Sequence, residues 1–179
     1  MTIPPSRHEV MAAAGPATLP GGIVPPHGMP PRGCGAGDLI RALFHAGIAH
    51  ELGAKGPRKF DCYSTMQLVQ FWLFGRETVE ARIEHDAGRK AVLDAISTHE
   101  ARRLWKPVKG KPAHGDIVSM THVREPFHVG TYLEVDRGVI LHCASITGLA
   151  VDDNSALIAG GWNNLRYYRW AGGETGAAS

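Results

Sequence analysis

The chain has 179 residues, and its 44% hydrophobic and 20% charged residues are ordinary for a globular domain with a sizeable core. A formal net charge of +2 is too small to predict nucleic-acid binding, and no apolar run is long enough to span a membrane. The start of the chain lacks the basic and apolar segments of a secretory signal, so we expect synthesis in the cytoplasm without Sec export. The odd number and the spacing of the three cysteines fit neither a disulfide framework nor a zinc ribbon.

The beginning of the chain differs in composition from the rest. Residues 1–33 contain eight of the twelve prolines and only three charged residues. Such a segment offers little to a packed core, and it predicts an extended or disordered arm ahead of a domain at residues 34–179. Two interpretations stay open at this point: a flexible tail, or an arm that docks on a larger assembly and becomes ordered there.

Helices are predicted in the first half of the domain. Asp38 and Asp61 are candidate N-caps of two helices, and Gly47 can end the first of them. A third helix is predicted over residues 77–104. Apolar residues at helical spacing support the first two, namely Leu39, Ile40, Leu43 and Phe44 in one and Met66, Val69, Trp72 and Leu73 in the other.

Strands are predicted in the second half, after a turn-rich break. The segments "DIVSM", "HVGTYLEV" and "GVILHCAS" alternate in polarity or are β-branched, and "DRG" between the last two predicts a hairpin turn. "GLAVDD" and "LRYYRW" are further strand candidates. Helices followed by antiparallel strands predict an α+β fold.

Three side chains are candidates for one site. Cys62 lies in the first turn of the second helix, where unsatisfied N–H groups and the helix dipole favour an anion such as a thiolate. His128 and His142 lie on two strands joined by the "DRG" turn, not directly opposite each other but close enough to share a face. A thiol, an imidazole to take its proton and a polar group to hold that imidazole are what nucleophilic catalysis needs.

Cysteines and histidines also occur as structural residues and as metal ligands. Cys143, next to His142 on the opposite face of its strand, is expected to be a small buried hydrophobe, and Cys34 an exposed thiol. A zinc site formed by the three candidate side chains is the alternative. It would have only three protein ligands without close spacing, and a helix N-terminus is a poor neighbour for a cation.

Three motifs, taken in order, resemble the NlpC/P60 family of papain-like cysteine peptidases. They are "FDCYSTMQLVQFWLFG", "GDIVSM" and "HVGTYLEVDRGVILHCAS", and the likeness extends over about residues 35–170. In that family an Asp-Cys pair opens the main helix, a Gly-Asp begins the first strand, and His-Val-Gly-x-Tyr carries the base. The chain is most similar to the small cell-wall peptidases of bacteriophage tails and gene transfer agents. The resemblance implies hydrolysis of peptide-stem amide bonds of peptidoglycan.

The resemblance also implies roles for individual residues. Cys62 would be the nucleophile, His128 the general base and then the general acid, and His142 the residue that orients the His128 ring. Where the family commonly has a tyrosine, twelve residues before the nucleophile, this chain has His50, which becomes a candidate donor to the oxyanion together with the Cys62 N–H group. The reaction would need no cofactor and no metal.

One departure from the family pattern follows the cysteine. Many members have a glycine close behind it, whereas this chain has Tyr63, Ser64 and Thr65. The bulkier first turn is expected to narrow the cleft. This leaves open whether the chain is a fast enzyme, a narrow one or a retained fold with little activity.

The partners implied are peptidoglycan peptide stems, with tail-tip or baseplate proteins docking on the arm at residues 1–33, and neither nucleic acid nor a membrane span is expected. The protein would act in a phage-like tail or at the cell wall. Two alternatives stay open: a structural tail-tip component with a papain-like fold and little activity, and another amidase or acyltransferase on the same fold.

Overall fold

The computed structural model describes residues 17–78, 103–125 and 127–172. Most of the helix predicted over residues 77–104 lies outside these ranges. Within them no helix is long and apolar enough to cross a membrane. In chain order the elements are a 3-10 turn at Pro20–Gly22, α1 at Ala36–His45, β1 at Ala49–His50, β2 at Lys59–Phe60, α2 at Cys62–Phe74, β3 at Trp105–Pro107, β4 at Ile117–Thr121, β5 at His128–Leu133, β6 at Val139–Ala144, β7 at Gly148–Asp152, α3 at Asn154–Ala159 and β8 at Asn163–Trp170.

A six-stranded antiparallel sheet forms the centre of the fold, with the strand order β3-β8-β4-β5-β6-β7. Each strand predicted from the sequence is present, and Asp136 and Gly138 have the positive φ angles, 54° and 94°, of the predicted hairpin turn. The mixed helical and antiparallel architecture confirms the α+β class.

The sheet has an apolar core on each face. On one face, residues of α1 and α2 such as Leu39 and Leu68 pack against Leu141 and Cys143 of β6. Successive residues of a strand point to opposite faces, so Ile140 lies on the other face, in a second cluster with Leu157 of α3 and Trp162. His142 lies between the helix-facing residues Leu141 and Cys143, and His128 directly precedes the helix-facing Val129. Both histidines therefore lie on this second face.

The first helix begins earlier than predicted. Gly35 is its N-cap, and Asp38 lies in the first turn, where its carboxylate pairs with Arg41. The assignment of Asp38 as the N-cap is therefore wrong. The carboxylate accepts from the guanidinium one turn further on, which uses the favourable i, i+3 spacing of opposite charges. The predicted end is correct, since Gly47 follows the C-cap with a φ of 63°.

The proline-rich segment packs against the domain before residue 33. Ile23 is 1% exposed and belongs to the same core cluster as Phe60 and Leu68. The indole N–H of Trp72 donates to the Pro30 carbonyl at 2.9 Å, and the Val24 N–H donates to the Lys55 carbonyl at 2.8 Å. The predicted boundary at residue 33 therefore does not mark where packing begins. Ile23, together with Leu19 and Met29 and with backbone donors and acceptors, fixes this stretch despite its composition.

We expect Gly56→Ala to be far more destabilising than Gly53→Ala. Gly56 has a φ of 102°, and an added Cβ would lie 1.9 Å from the Val24 carbonyl oxygen, in the contact between the proline-rich segment and the loop before Cys62. Gly53 has a φ of 78° but nothing within 4 Å of an added Cβ. The left-handed backbone alone costs roughly 1–2 kcal/mol, and the clash adds roughly 1–3 kcal/mol. Urea unfolding of the two variants measures the difference, and equal losses would contradict this packing.

Candidate active site

Cys62 is the first residue of α2, and a capping box fixes it there. The Asp61 carboxylate accepts from the Ser64 N–H at 2.7 Å, and the Ser64 hydroxyl accepts from the Asp61 N–H at 3.0 Å. The second carboxylate oxygen of Asp61 accepts from the Gly53 N–H at 3.0 Å, which ties the preceding loop to the same cap. The predicted N-cap is therefore confirmed, and it holds Cys62 rigidly at the helix start.

The Cys62 thiol is half-buried and packs with Met66 and with Val129 of β5. Burial raises the pKa of this thiol, and the charge of Asp61 raises it further, while the N–H of Val129, which donates to the sulfur, lowers it. Burial prevails, so the resting form is the thiol. The thiolate expected from the helix N-terminus is not the resting form, because burial opposes ionisation of the thiol and the anionic cap Asp61 adds to this effect.

The two candidate histidines are in direct contact. In the ladder between β5 and β6, His142 lies opposite Gly130, two residues from His128, so both rings are on the same face. His128 Nε2 and His142 Nδ1 are 2.8 Å apart in an edge-to-face arrangement, and each residue is 1% exposed. The hairpin that the sequence predicts therefore brings these two residues together.

Asp152 of β7 extends the pair of histidines to a hydrogen-bonded series of three side chains, His128–His142–Asp152, which we call the relay. Asp152 was not among the residues predicted from the sequence. Its carboxylate oxygen Oδ2 lies 3.0 Å from His142 Nε2. Burial lowers the pKa of His142, against the opposing effect of Asp152, and keeps the ring neutral. A carboxylate only accepts, so His142 donates from Nε2, its Nδ1 accepts, and His128 must donate from its own Nε2. Asp152 belongs to the predicted strand "GLAVDD". In the β6–β7 ladder it lies diagonally across from His142, and this spacing was the signal that could have identified it.

Trp162 is a second residue that sequence reasoning missed. Its indole lies over the His128 ring, with the ring centres 4.5 Å apart and the planes inclined by 37°. It also meets the His142 ring edge-on at 5.8 Å and is itself buried. Trp162 comes from the segment after α3, remote in sequence from both histidines, so only the folded chain brings it to them. It excludes water from the relay and adds to the burial that lowers the pKa of His128 to about 4.

Cys62 contacts the strand that carries His128, but no hydrogen bond joins the two side chains. The thiol meets β5 at the Val129 N–H, while the His128 ring extends to the face that carries Trp162. Nε2 of His128 is engaged by His142, and Nδ1 is buried without a hydrogen-bond partner of good geometry. The Glu125 carboxylate oxygen Oε2 is 3.0 Å from this Nδ1. Nδ1 is therefore the ring nitrogen left to accept the thiol proton.

His50 lies on β1 and pairs with Phe60 of β2. Phe60 precedes the candidate nucleophile Cys62 by two residues. Burial is the largest cause of the low pKa of His128, and the charge of His50 contributes to it in the same direction. His50 is half-buried. This position is consistent with a donor to an oxyanion at the start of α2.

His50→Ala is expected to lower kcat by roughly ten- to a thousandfold with little change in KM, as for a contact made mainly in the transition state. His50→Tyr should recover part of the loss, because a phenol can donate where the imidazole did. Steady-state kinetics on one defined muropeptide measure both variants. A wild-type kcat for His50→Ala would place the second oxyanion donor elsewhere.

The remaining cysteines lie outside this arrangement. Cys143 is fully buried on the helix-facing side of β6, where its thiol donates to the Phe60 carbonyl at 3.5 Å. Burial raises its pKa to about 12. Cys34 is half-buried against the main core rather than exposed as predicted. Among the described residues, no group of three or more His, Cys, Asp or Glu side chains is arranged to hold a metal ion.

Comparison with known proteins gives no family assignment. No protein-family model matches the chain, and no curated protein matches it. The case for its function therefore depends on the thiol, the two imidazoles and the carboxylate assembled at this site.

Proposed function

We propose that the protein is a cysteine peptidase with a papain-like fold of the NlpC/P60 kind, and that it hydrolyses peptide-stem amide bonds of peptidoglycan. One observation carries the proposal. A thiol fixed on the first residue of a capped helix adjoins the strand of His128, and this histidine is held by the chain His142–Asp152. The motif resemblance described above supplies the substrate class.

The mechanism begins with a neutral thiol and a neutral imidazole. As the Cys62 sulfur attacks the amide carbon, its proton passes to Nδ1 of His128, and the carbonyl oxygen gains a negative charge. In this scheme the Cys62 N–H group and His50 donate to that oxyanion, and each donor is worth roughly 3 kcal/mol. His142 and Asp152 keep the proton of His128 on Nε2, so Nδ1 is ready to accept.

The second half of the reaction returns the proton. The tetrahedral intermediate collapses, the C–N bond breaks, and His128 gives its Nδ1 proton to the leaving amine. Water then attacks the acyl carbon while Nδ1 of His128 removes one of its protons. The second tetrahedral intermediate collapses, the C–S bond breaks, and His128 returns the proton to the sulfur, which releases the acid and restores the Cys62 thiol. Each step balances without a cofactor.

We place this activity in a phage-like tail or at the cell wall, with synthesis in the cytoplasm. The proline-rich residues 1–33 are the proposed contact with tail-tip or baseplate proteins. Residues 19–33 of this segment pack on the domain.

Defined muropeptides incubated with the purified protein test the proposal. Mass spectrometry should find two fragments whose summed mass exceeds the muropeptide by one water, and the fragment masses identify the amide that was cut. Intact muropeptides of every stem composition, with a folded protein and a reactive Cys62, would refute the peptidase assignment.

A structural tail-tip component is the second candidate, and one observation favours it. The thiol and the base are not hydrogen-bonded, and a carboxylate lies at the nitrogen that the thiol would need. Under this alternative, Cys62→Ala leaves particle assembly and infection or transfer unchanged. Under the peptidase proposal, the same variant assembles into particles but fails to open the cell wall.

A further inference from the structure

The relay leaves His128 with a defined proton arrangement. The Asp152 carboxylate accepts a hydrogen bond from His142 Nε2–H, and His142 Nδ1 accepts one from His128 Nε2–H, over distances of 3.0 and 2.8 Å. A neutral His128 therefore has a lone pair on Nδ1. This lone pair is what makes the ring a base toward Cys62.

Glu125 lies beside that lone pair, close to Nδ1 but without the alignment of a hydrogen bond. Its Oε2 atom is 3.0 Å from His128 Nδ1, and the side chain of Glu125 is only 12% exposed. Its other oxygen accepts from the Ser145 N–H at 2.6 Å and from the Ser145 hydroxyl. Burial raises the pKa of Glu125, but the contact with His128 and the hydrogen bonds from Ser145 outweigh it and lower the pKa to about 2. Glu125 is therefore an anion held against the base.

A lone pair and a carboxylate repel each other at this distance. The contact is favourable only when a proton lies between them, that is, when His128 is an imidazolium paired with Glu125. In that state His128 has no lone pair and cannot act as a base. When His128 is neutral, the carboxylate is repelled, and Nδ1 becomes open to the thiol.

Two backbone hydrogen bonds hold Glu125 in a turn with His122. The N–H of Glu125 donates to the His122 carbonyl at 3.1 Å, and the N–H of His122 donates to the Glu125 carbonyl at 2.8 Å. Rotation of the Glu125 side chain alone therefore releases Nδ1. The charges of His50 on β1 and His142 on β6 act on His128. The charge of Glu125 acts in turn on the Cys62 thiol, which also feels the Asp61 cap, and on His142, which also feels Asp152 of β7.

We propose that Glu125 is a positioning residue that competes with the Cys62 thiol for the Nδ1 nitrogen of His128, and that this competition sets the acid limit of hydrolysis. The proposal rests on the peptidase function proposed above. Glu125 does not touch the substrate in this scheme. The position of its side chain determines whether Nδ1 of His128 contacts the Glu125 carboxylate or is accessible to the Cys62 thiol.

The negative charge of Glu125 determines the direction in which it shifts the pKa values of His128 and Cys62. A nearby carboxylate favours imidazolium, so Glu125 raises the pKa of His128 relative to a site without it, and it also raises the pKa of the Cys62 thiol. Removing the carboxylate lowers both pKa values. A neutral His128 and a more reactive sulfur then persist to lower pH.

Glu125→Ala tests this in two ways. The acidic limb of the pH profile of kcat/KM on a muropeptide should move to lower pH by about one unit or more. The rate at which iodoacetamide alkylates Cys62, located by mass spectrometry, should rise several-fold in weak acid. Alkylation, together with NMR titration of the His128 ring, requires no peptidoglycan, so both distinguish a failure of this proposal from a failure of the peptidase assignment.

Two matched variants sharpen the test. Glu125→Gln keeps the shape, and its amide N–H can donate to the neutral Nδ1, so the nitrogen stays occupied and alkylation should remain at or below the wild-type rate. Glu134→Ala removes an exposed carboxylate beyond the other end of β5 and should leave the profile unchanged. An unmoved acidic limb and His128 titration in Glu125→Ala would overturn the proposal. So would a Glu125→Gln protein whose Cys62 is alkylated as fast as that of Glu125→Ala, since loss of the charge, which the two variants share, would then be responsible.

Discussion

Cys62→Ala should abolish hydrolysis of peptidoglycan stem peptides, with kcat reduced by at least about a thousandfold. No acyl-enzyme can form without the sulfur, and His128 then has no thiol to deprotonate. The capping box of Asp61 and Ser64 does not involve the Cys62 side chain, so α2 should form as before. Release of product from one defined muropeptide, followed by mass spectrometry, measures the loss, and circular dichroism checks the fold.

The other two cysteines provide matched controls for this substitution. Cys34→Ala and Cys143→Ala also remove a sulfur atom, but at positions away from the relay. Cys34 packs against the main core, and Cys143 lies on the helix-facing side of β6. Both should retain hydrolysis. An equal loss of activity in Cys143→Ala, with the fold intact, would contradict the assignment of Cys62 as the nucleophile.

The form of the nucleophile shows where reasoning from sequence position fails. A helix N-terminus favours an anion by about 0.3–1 kcal/mol, whereas a rise of one pKa unit caused by burial already disfavours the anion by about 1.4 kcal/mol. Only the folded structure reveals that the Cys62 sulfur packs against Met66 and Val129. Since burial is the larger effect, the thiol loses its proton to His128 during attack rather than before it.

Local signals explain which parts of the site could be predicted. The cap at Asp61 depends on residues within one helical turn, and the contact of His128 with His142 depends on a short hairpin whose turn residues are recognisable. Both are therefore visible in the sequence. The packing of Ile23 was not, because composition describes a whole segment and one apolar side chain can still enter the core.

Glu125 and Trp162 could not be predicted, because each reaches the relay from a connecting segment. Glu125 lies in the turn between β4 and β5, and Trp162 lies between α3 and β8. A polar or aromatic residue in a loop has no periodicity that assigns it to a face. Their place at the His128 ring is a property of the folded sheet and the elements that cover it.

The largest effect among the positioning residues is expected for His142. In His142→Ala, the buried Nε2 proton of His128 loses its acceptor at 2.8 Å, and nothing then keeps that proton on Nε2. The tautomer with the proton on Nδ1 becomes accessible, and it cannot accept from Cys62. We expect kcat to fall by roughly a hundred- to ten-thousandfold, with KM changed little.

His142→Asn should retain clearly more activity than His142→Ala, because its amide oxygen can still accept from His128 Nε2. Asp152→Ala should be the mildest of the three. The side chain of Asp152 is 35% exposed, so water can replace it as the acceptor for His142 Nε2, and the orientation of His142 is only loosened. NMR of the His128 ring nitrogens reports the tautomer directly in each variant. Full rates in both His142 variants would mean that another group holds His128, whereas equal, complete loss in both would mean that the amide oxygen cannot reach Nε2 from that position.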